Sequence, residues 1–417
     1  MRVGARDPAL WQAVDANGAF FSRVRPFSGE FSGRFNRGWA SSPGAAMRLV
    51  QVRRVVGAGP ELSAQASASP VLVDRLERRV RYLRVSLTDR CSMRCTYCMP
   101  PEGIEHVERS EVLSLEEVAR MVAAFAAWGV ERVRLTGGEP TLRRGLTWLV
   151  ERLAALRTDT GAPLRVVMTS NGELIARLAG PLKAAGLHTL TISLDSLDRE
   201  RFASITRRDR LEQVIAGFKA AHAVGLPLKL NTVAVRGFND DELGALCRFA
   251  WAHDATPRFI ELMPMAAGRL FVPGELMPAA AIRERIGAEL GAVVEPESMD
   301  PTQGAFGPAQ YFVLRGGAHD GRRFGTIAAM TENFCGSCNR LRVSATGQLH
   351  ACLARDDAGD LRSALRHPSQ ESGQGSGQGS GALERVVRAA LGHKRDSHGF
   401  EQTGSGGPQK AMISIGG

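Results

Sequence analysis

Six of the seven cysteines in this 417-residue chain form two groups of three whose spacing suits metal ligation. They are Cys91, Cys95, Cys98, Cys335, Cys338 and Cys352. The seventh, Cys247, stands apart within a helical pattern. Disulfide frameworks belong to small secreted domains, whereas clustered thiols in a chain of enzyme size indicate metal or cluster ligation in a reducing compartment. We therefore expect a cytoplasmic protein with two metal centres.

The first group, Cys91-x3-Cys95-x2-Cys98, lies just after a β-type run. Three thiolates at this spacing can bind three irons of a [4Fe–4S] cluster and leave the fourth iron without a protein ligand. Such an open iron can bind the amine and carboxylate of a small molecule. A structural zinc site is the alternative, but it needs four protein ligands and usually contains C-x2-C pairs. The spacing and the missing fourth cysteine favour the cluster.

A second motif, Gly137-Gly138-Glu139-Pro140, directly follows another β-type run. Two glycines there would let a ligand approach the backbone, and the Glu139 carboxylate suits a cationic amine. An isolated tight turn is the alternative. Ser193 lies at the end of one β-type run and Met263 follows another, and both would line the same site, with a capping serine and a core methionine as the alternatives.

Together these motifs resemble the radical S-adenosylmethionine superfamily. The resemblance rests on the first cysteine group with Tyr97 before its last cysteine, and on the Gly-Gly-Glu-Pro motif. It implies a [4Fe–4S] cluster that binds and reductively cleaves S-adenosylmethionine to a 5′-deoxyadenosyl radical. The residues that it assigns to the S-adenosylmethionine site are Tyr97, Gly138, Glu139, Ser193 and Met263.

The second group, Cys335-x2-Cys338-x13-Cys352, allows two interpretations as a bare pattern. One is a zinc ribbon with His350 as the fourth ligand. The other interpretation comes from a family resemblance. The chain resembles the GTP 3′,8-cyclase family of molybdenum cofactor biosynthesis around the second group at residues 333–342, before the first group at residues 82–90, and at the terminal Gly416-Gly417. This resemblance covers about residues 72–356 and the last few residues, and it implies a second [4Fe–4S] cluster whose open iron contacts guanine.

The family resemblance also implies the reaction and its partners. GTP is converted to (8S)-3′,8-cyclo-7,8-dihydroguanosine 5′-triphosphate by hydrogen abstraction from the ribose and bond formation to guanine C8. An external electron donor is required, and the product passes to the cyclic pyranopterin monophosphate synthase; a homodimer is compatible with the resemblance. The implied GTP contacts are Arg84, Arg134, Thr169, Lys229, Arg340, Leu341 and Arg342, and we expect Leu341 to contribute only its backbone. The implied catalytic residues are Arg340, Arg342, Gly416 and Gly417.

The charges of these residues agree with a phosphate-bearing substrate. Arginine is a good forked partner for phosphate oxygens, and we expect these arginines to face one mouth of the fold. Lys229 is one of only five lysines and lies inside an apolar strand. A snorkelling surface lysine is the usual interpretation there, but a lysine inside a barrel needs an anion.

The elements that position these residues alternate in type. Six β-type runs are predicted at 81–87, 132–136, 164–169, 189–194, 228–235 and 258–262, and amphipathic helices at 115–128, 142–156, 174–185, 211–224 and 240–252. Repeated βα units predict a parallel sheet with right-handed crossovers, here a partial (β/α)6-type TIM barrel. We expect a C-terminal α+β domain to carry the second cluster, with a hairpin of strands 341–344 and 348–353.

Four regions follow from these patterns: a disordered or dispensable extension over 1–70, the barrel over 71–300, the second-cluster and GTP domain over 301–356, and a tail over 357–417. The tail contains a flexible low-complexity linker at 366–382, a short helix at 383–391 and the Gly-Gly end. Residues 1–54 carry nine Arg and three acids, so a transit peptide is an alternative, and Met47 is a candidate start.

Composition excludes some classes of protein. The chain has no apolar run of the roughly 20 residues that cross a bilayer, so no membrane partner is expected. The net charge of +10 suits a polyanion, but 48 of the 53 basic residues are Arg throughout the chain, which indicates coding bias. Aromatic residues are only 6%, which disfavours the nucleic-acid-binding alternative. The other alternative function is that of a different two-cluster radical S-adenosylmethionine enzyme, such as a peptide-modifying maturase.

Overall fold

The computed structural model describes residues 71–266, 269, 271–298, 307–367 and 380–415. The predictions for residues 1–70, for most of the linker and for Gly416 and Gly417 lie outside the described residues. None of the helices in these ranges is both long enough and apolar enough to cross a membrane.

Six parallel strands with intervening helices form the first part of the fold. In chain order they are β1 Tyr82–Ser86, α1 Leu115–Ala127, β2 Arg132–Thr136, α2 Leu146–Ala154, β3 Arg165–Ser170, α3 Ile175–Ala184, β4 Thr189–Ser193, α4 Arg199–Thr206, α5 Leu211–Ala223, β5 Leu228–Ala234, α6 Leu243–Trp251 and β6 Ala255–Glu261. The strands lie side by side in this order, each parallel to the next. The predicted partial barrel is therefore confirmed.

Strands from the C-terminal part of the chain join both edges of this sheet. The remaining elements are α7 Ala279–Leu290, β7 Val293–Pro296, β8 Gln310–Arg315, β9 Arg323–Ile327, β10 Arg340–Val343, β11 Gln348–His350, β12 Gly359–Asp360, α8 Leu361–Arg366 and α9 Ser380–Gly392. β9 pairs parallel with β6, and β10 pairs parallel with β1. The complete order is β12-β11-β10-β1-β2-β3-β4-β5-β6-β9-β8-β7.

The predicted boundaries lie within three residues of the observed ones apart from the start of α2, which differs for a local reason. α2 begins at Leu146 and not at 142, because Pro140–Leu142 forms a 3₁₀ turn and Gly145, with φ +80°, precedes the helix. β6 begins at Ala255, so that Pro257 lies inside a paired strand. The predicted hairpin is confirmed as β10 and β11, which are antiparallel, and α9 contains the predicted helix 383–391.

Side-chain alternation on β1 and β10 separates the core from the interior of the barrel. Leu83 is the neighbour of Leu341 in the register, and Arg84 is the neighbour of Arg342. Since alternate residues of a strand point to opposite faces, the two leucines share one face and the two arginines share the other. Both leucines are completely buried in the core between sheet and helices. The arginines therefore face the inside of the barrel.

Candidate active site

The first cysteine loop is held against the end of β2 by backbone contacts that require glycine. The N–H of Gly138 donates to the carbonyl of Thr88 at 2.7 Å, and the N–H of Glu139 donates to that of Arg90 at 2.8 Å. A Cβ on Gly138 would lie 2.1 Å from the Arg90 carbonyl oxygen. We expected these glycines to let a ligand approach the backbone. In the structure the group that approaches the Gly138 backbone is the cysteine loop.

Glu139 is fixed between the ends of β2 and β3. Its side chain is 1% exposed, and burial raises the pKa of the carboxyl group, which hydrogen bonds partly offset. Oε1 accepts from the Thr141 N–H at 3.0 Å, the Thr141 hydroxyl at 2.7 Å and the Ser170 hydroxyl at 2.9 Å. Oε2 accepts from the Asn171 N–H at 2.6 Å. An incoming ammonium group can therefore be received by Oε2, which has acceptor capacity left.

The three thiols of the first group are free and partly buried. Burial raises the pKa of Cys91 to about 11 and that of Cys98 to about 12, and nearby acidic groups add to both shifts. The Met93 N–H donates to the Cys91 sulfur at 3.4 Å. Between the cysteines, the Tyr97 hydroxyl donates to Asp195 Oδ2 at 2.8 Å, which ties the loop to the end of β4.

The second cysteine group lines a smaller cavity of about 500 Å³, part of it open to solvent. Arg340 Nη2 donates to the Cys338 sulfur at 3.4 Å, and the Ala354 N–H donates to the Cys352 sulfur at 3.4 Å. Burial would raise the pKa of Cys338, but the positive charges of Arg340 and Lys394 lower it to about 6. The environment of this sulfur therefore favours a thiolate.

The two cysteine groups lie at opposite ends of the barrel strands. Cys91 follows β1, whereas Cys338 precedes β10, and these two strands are parallel and in register. Cys352 follows β11, which runs antiparallel to β10, so it lies at the same end as Cys338. β1 spans five residues, which is about 17 Å at 3.3 Å per residue. We expected the site residues to face one mouth of the barrel. The structure instead shows a barrel interior with one cysteine group at each end.

The interior of the barrel contains a central cavity of about 1100 Å³, part of it open to solvent. Nine of the predicted site residues line it: Tyr97, Ser193, Met263, Arg84, Arg134, Thr169, Lys229, Arg340 and Arg342. Leu341, the remaining implied GTP contact on β10, is buried on the other face of the strand. The structure therefore gives the Leu341 side chain no access to the cavity.

The central cavity is strongly positive. Seven cationic side chains line it among the described residues, and Asp195 is the single acidic one. Burial and repulsion between neighbours lower the pKa of Arg84 and of Arg258, and burial lowers that of Arg342 to about 10. Cations crowded together in a buried space are stabilised by an anionic ligand.

Several residues of this cavity were not predicted from the sequence. Arg132 on β2 and Arg258 on β6 add two charges, and Tyr82 on β1 bonds with Arg134. Although burial raises the pKa of Tyr82, the surrounding arginines lower it to about 8. Their spacing in the sequence could have indicated them. Arg132 and Arg134 are two residues apart on β2, as Tyr82 and Arg84 are on β1, so these side chains share the face that points into the barrel.

The C-terminal tail reaches the first cysteine group. Met412 lines the central cavity, and Ile413 packs with Met99 beside Cys91 and Cys98. Ile415 is completely buried. The tail is therefore packed into the protein up to Ile415, and the two glycines that follow lie outside the described residues.

The donors of both groups fit an iron–sulfur cluster, because each consists of three free thiols with N–H donors aimed at sulfur. Within the described ranges, no three His, Cys, Asp or Glu side chains are arranged to hold one metal ion. His350 does not line the cavity that the second group lines. The geometry therefore gives the zinc alternative, with His350 as a ligand, no support.

A parallel partial barrel with a C-x3-C-x2-C loop after its first strand defines the class of radical S-adenosylmethionine enzymes. The model of the Radical SAM superfamily matches residues 85–250, and that of Molybdenum Cofactor Synthesis C matches residues 255–400. Membership of this superfamily implies an iron–sulfur cluster and S-adenosylmethionine.

Relatives narrow the class further. A GTP 3′,8-cyclase of Bradyrhizobium diazoefficiens is 37% identical over 345 residues, which are 82% of this chain and 94% of the relative. One of Heliobacterium modesticaldum is 39% identical and covers 83% of this chain and 100% of the relative. One of Pelotomaculum thermopropionicum is 41% identical over 70% of this chain and 87% of the relative. The chain belongs to the GTP 3′,8-cyclase family.

Solved structures support the fold. Streptococcus suis SuiB has a TM-score of 0.51 and 15% identity, covering 76% of this chain and 68% of SuiB. SuiB bound to precursor peptide SuiA has a TM-score of 0.51 and 12% identity, covering 78% of this chain and 70% of SuiB. At these identities the similarity concerns the fold alone.

Proposed function

We propose that this enzyme converts GTP to (8S)-3′,8-cyclo-7,8-dihydroguanosine 5′-triphosphate, the first step of molybdenum cofactor biosynthesis, with two [4Fe–4S] clusters. The observation that carries this proposal is the central cavity, where seven cationic side chains lie between two groups of three cysteines. A triphosphate supplies the negative charge that this cavity lacks.

Cys91, Cys95 and Cys98 would hold the first cluster, and the chain itself positions S-adenosylmethionine beside it. When bound, this cluster supplies the electron that cleaves S-adenosylmethionine to a radical able to remove a hydrogen atom from the GTP ribose. Glu139 Oε2 would receive the methionyl ammonium, because the other oxygen is filled by three donors. Tyr97, Ser193 and Met263 would line the same site, and Gly138 keeps the loop in place.

Arg340 and Arg342 would hold GTP near Cys335, Cys338 and Cys352, which would bind the second cluster at that end. The cations on β1, β2, β5 and β6 face the same cavity and would bind the triphosphate: Arg84, Arg132, Arg134, Lys229 and Arg258. Thr169 Oγ1 accepts from Arg134 at 2.8 Å and so orients that guanidinium. Fixing GTP along the cavity places its ribose between the two ends and lowers the entropic part of the barrier.

The remaining partners are those that the family resemblance implies. An external one-electron donor must reduce the first cluster, and the product would pass to the cyclic pyranopterin monophosphate synthase. We propose a cytoplasmic location, since clustered free thiols need a reducing compartment. We also propose a catalytic role for Gly416 and Gly417, because a residue without Cβ can enter a crowded site that other residues cannot.

Anaerobic turnover tests the proposal. The reconstituted full-length protein, given S-adenosylmethionine and a reductant, should form 5′-deoxyadenosine and cyclised GTP in equal amounts from GTP and no cyclised product from ATP. Metal analysis should find about eight irons and no zinc per chain. Zinc without iron would contradict the enzyme class, and deoxyadenosine without a cyclised nucleotide would contradict GTP as the substrate.

A further inference from the structure

Lys394, just beyond α9, is a buried ammonium group close to the second cysteine group. It is 3% exposed and is one of five lysines in the chain. Its Nζ donates to the Arg340 carbonyl at 2.9 Å, to the Ala351 carbonyl at 3.0 Å and to the Cys338 sulfur at 3.5 Å. These contacts join the strand that follows Cys338 to the residue that precedes Cys352.

The counter-charge of this ammonium is the sulfur of Cys338. Among the described residues no carboxylate forms an ion pair with Lys394, and its other two acceptors are neutral carbonyls. A buried charge is costly unless it is paired. A Cys338 thiolate that binds a cluster carries the missing negative charge, and a charge-assisted bond to it is about twice as strong as a neutral one.

Other residues hold the Lys394 backbone in place. Arg75 Nε donates to the Lys394 carbonyl at 3.1 Å. Arg78 donates to the Arg395 carbonyl at 2.9 Å and to the Cys335 carbonyl at 2.6 Å. Arg78 also forms an ion pair with Asp74 at 2.7 Å. The lysine and the cysteine loop are therefore fixed to the same short segment, 74–78.

We propose that Lys394 is a positioning residue of the second cluster, which donates to the Cys338 sulfur, retains the cluster and raises its reduction potential. The inference rests on the second cluster of the proposed function. Lys394 lines neither the central cavity nor the cavity around the thiols, so it does not contact GTP itself. Hydrogen bonds to sulfur and positive charge both favour the reduced state of a cluster.

The test compares the parent protein with Lys394→Met, Lys394→Gln and the control Lys183→Met, each at full length and reconstituted anaerobically. Lys183 is exposed and donates to the Gly225 carbonyl. In Lys394→Met, a chelator should remove about four of eight irons roughly tenfold faster or more, as expected for the loss of a bond to a charged group. The midpoint potential of one cluster, followed by electron paramagnetic resonance, should fall, and Lys183→Met should match the parent.

S-adenosylmethionine cleavage to 5′-deoxyadenosine should persist in Lys394→Met, which shows that the fold and the first cluster remain. If this variant does not fold, Lys394→Gln decides the matter, because it keeps a donor and loses the charge. Its second cluster should then have a lower potential. Parent-like iron release and potentials in the variant that folds would overturn the inference. A parent that holds only about four irons would instead refute the second cluster of the proposed function.

Discussion

Replacing Arg258 by glutamine tests whether the central cavity is built for a triphosphate. Arg258 on β6 is 7% exposed. Its Nη2 donates to Thr191 Oγ1 at 3.2 Å, and its buried Nε has no hydrogen-bond partner within the protein. Burial lowers the pKa of the guanidinium, and the charge of Arg134 lowers it further. This side chain therefore holds its charge at a cost that an anionic ligand offsets.

Two effects of opposite kind follow from this environment. A hydrogen bond to a charged group contributes about 1.5–3 kcal/mol, so Arg258→Gln should weaken GTP binding roughly 10- to 150-fold. Without nucleotide, the variant should unfold at the same temperature as the parent or at a higher one, because one of several crowded buried charges is gone. If Arg258 only stabilised the fold, the variant would unfold at a lower temperature and bind GTP as the parent does.

Anaerobic calorimetry with GTP and with guanosine separates the phosphate contribution from that of the base. The loss should appear with GTP and be absent with guanosine. Arg248→Gln is the matched control, since Arg248 is exposed on α6, and it should bind both ligands as the parent does. Unchanged GTP affinity, or an equal loss for both ligands, would refute a phosphate role for Arg258.

Four further changes have defined outcomes. Cys95→Ala should abolish 5′-deoxyadenosine formation, because two thiolates do not retain the first cluster; formation at the parent rate would contradict this. Gly138→Ala should lower iron from about eight to about four per chain, since its Cβ would lie 2.1 Å from the Arg90 carbonyl oxygen. Asp195 has a pKa raised by burial from 3.8 to about 6. The folded state thus binds more protons, and stability falls by up to about 3 kcal/mol as pH rises from about 4 to 6; urea unfolding should show no such fall in Asp195→Asn. Removing Gly416 and Gly417 should lower the ratio of cyclised GTP to deoxyadenosine at normal iron content, and an unchanged ratio would show that they have no role.

The βα units could be predicted because each strand and helix has its own periodicity. β1 to β6 therefore appear in the sequence nearly as they do in the fold. The pairing of β10 with β1 was not predictable in this way, because it joins residues about 260 positions apart and no local pattern encodes such contacts. The same holds for β9 beside β6, so the opposite placement of the two cysteine groups came only from the structure.

Site residues were predictable where their type was unusual for its surroundings. Lys229 could be predicted because it is a rare lysine inside an apolar strand. Arg132 and Arg258 could not be found in this way, because their residue type does not distinguish them from the other arginines among 48. Lys394 is equally rare, but it lies outside any recognisable motif, and its partners are backbone carbonyls and one sulfur that sequence cannot place beside it.

The pairing of β9 and β10 with the two edges of the barrel has a consequence for biosynthesis on the ribosome. When β6 has been made, the strands of the barrel are present, but β1 and β6 each have one edge without its final neighbour. About 80 further residues, to Val343, must be added before both edges are covered. At about 5–20 residues per second this takes about 4–16 s, during which unpaired strand edges can associate with other chains. The proposed second cluster must also wait for this late segment, since Cys338 is translated about 240 residues after Cys98.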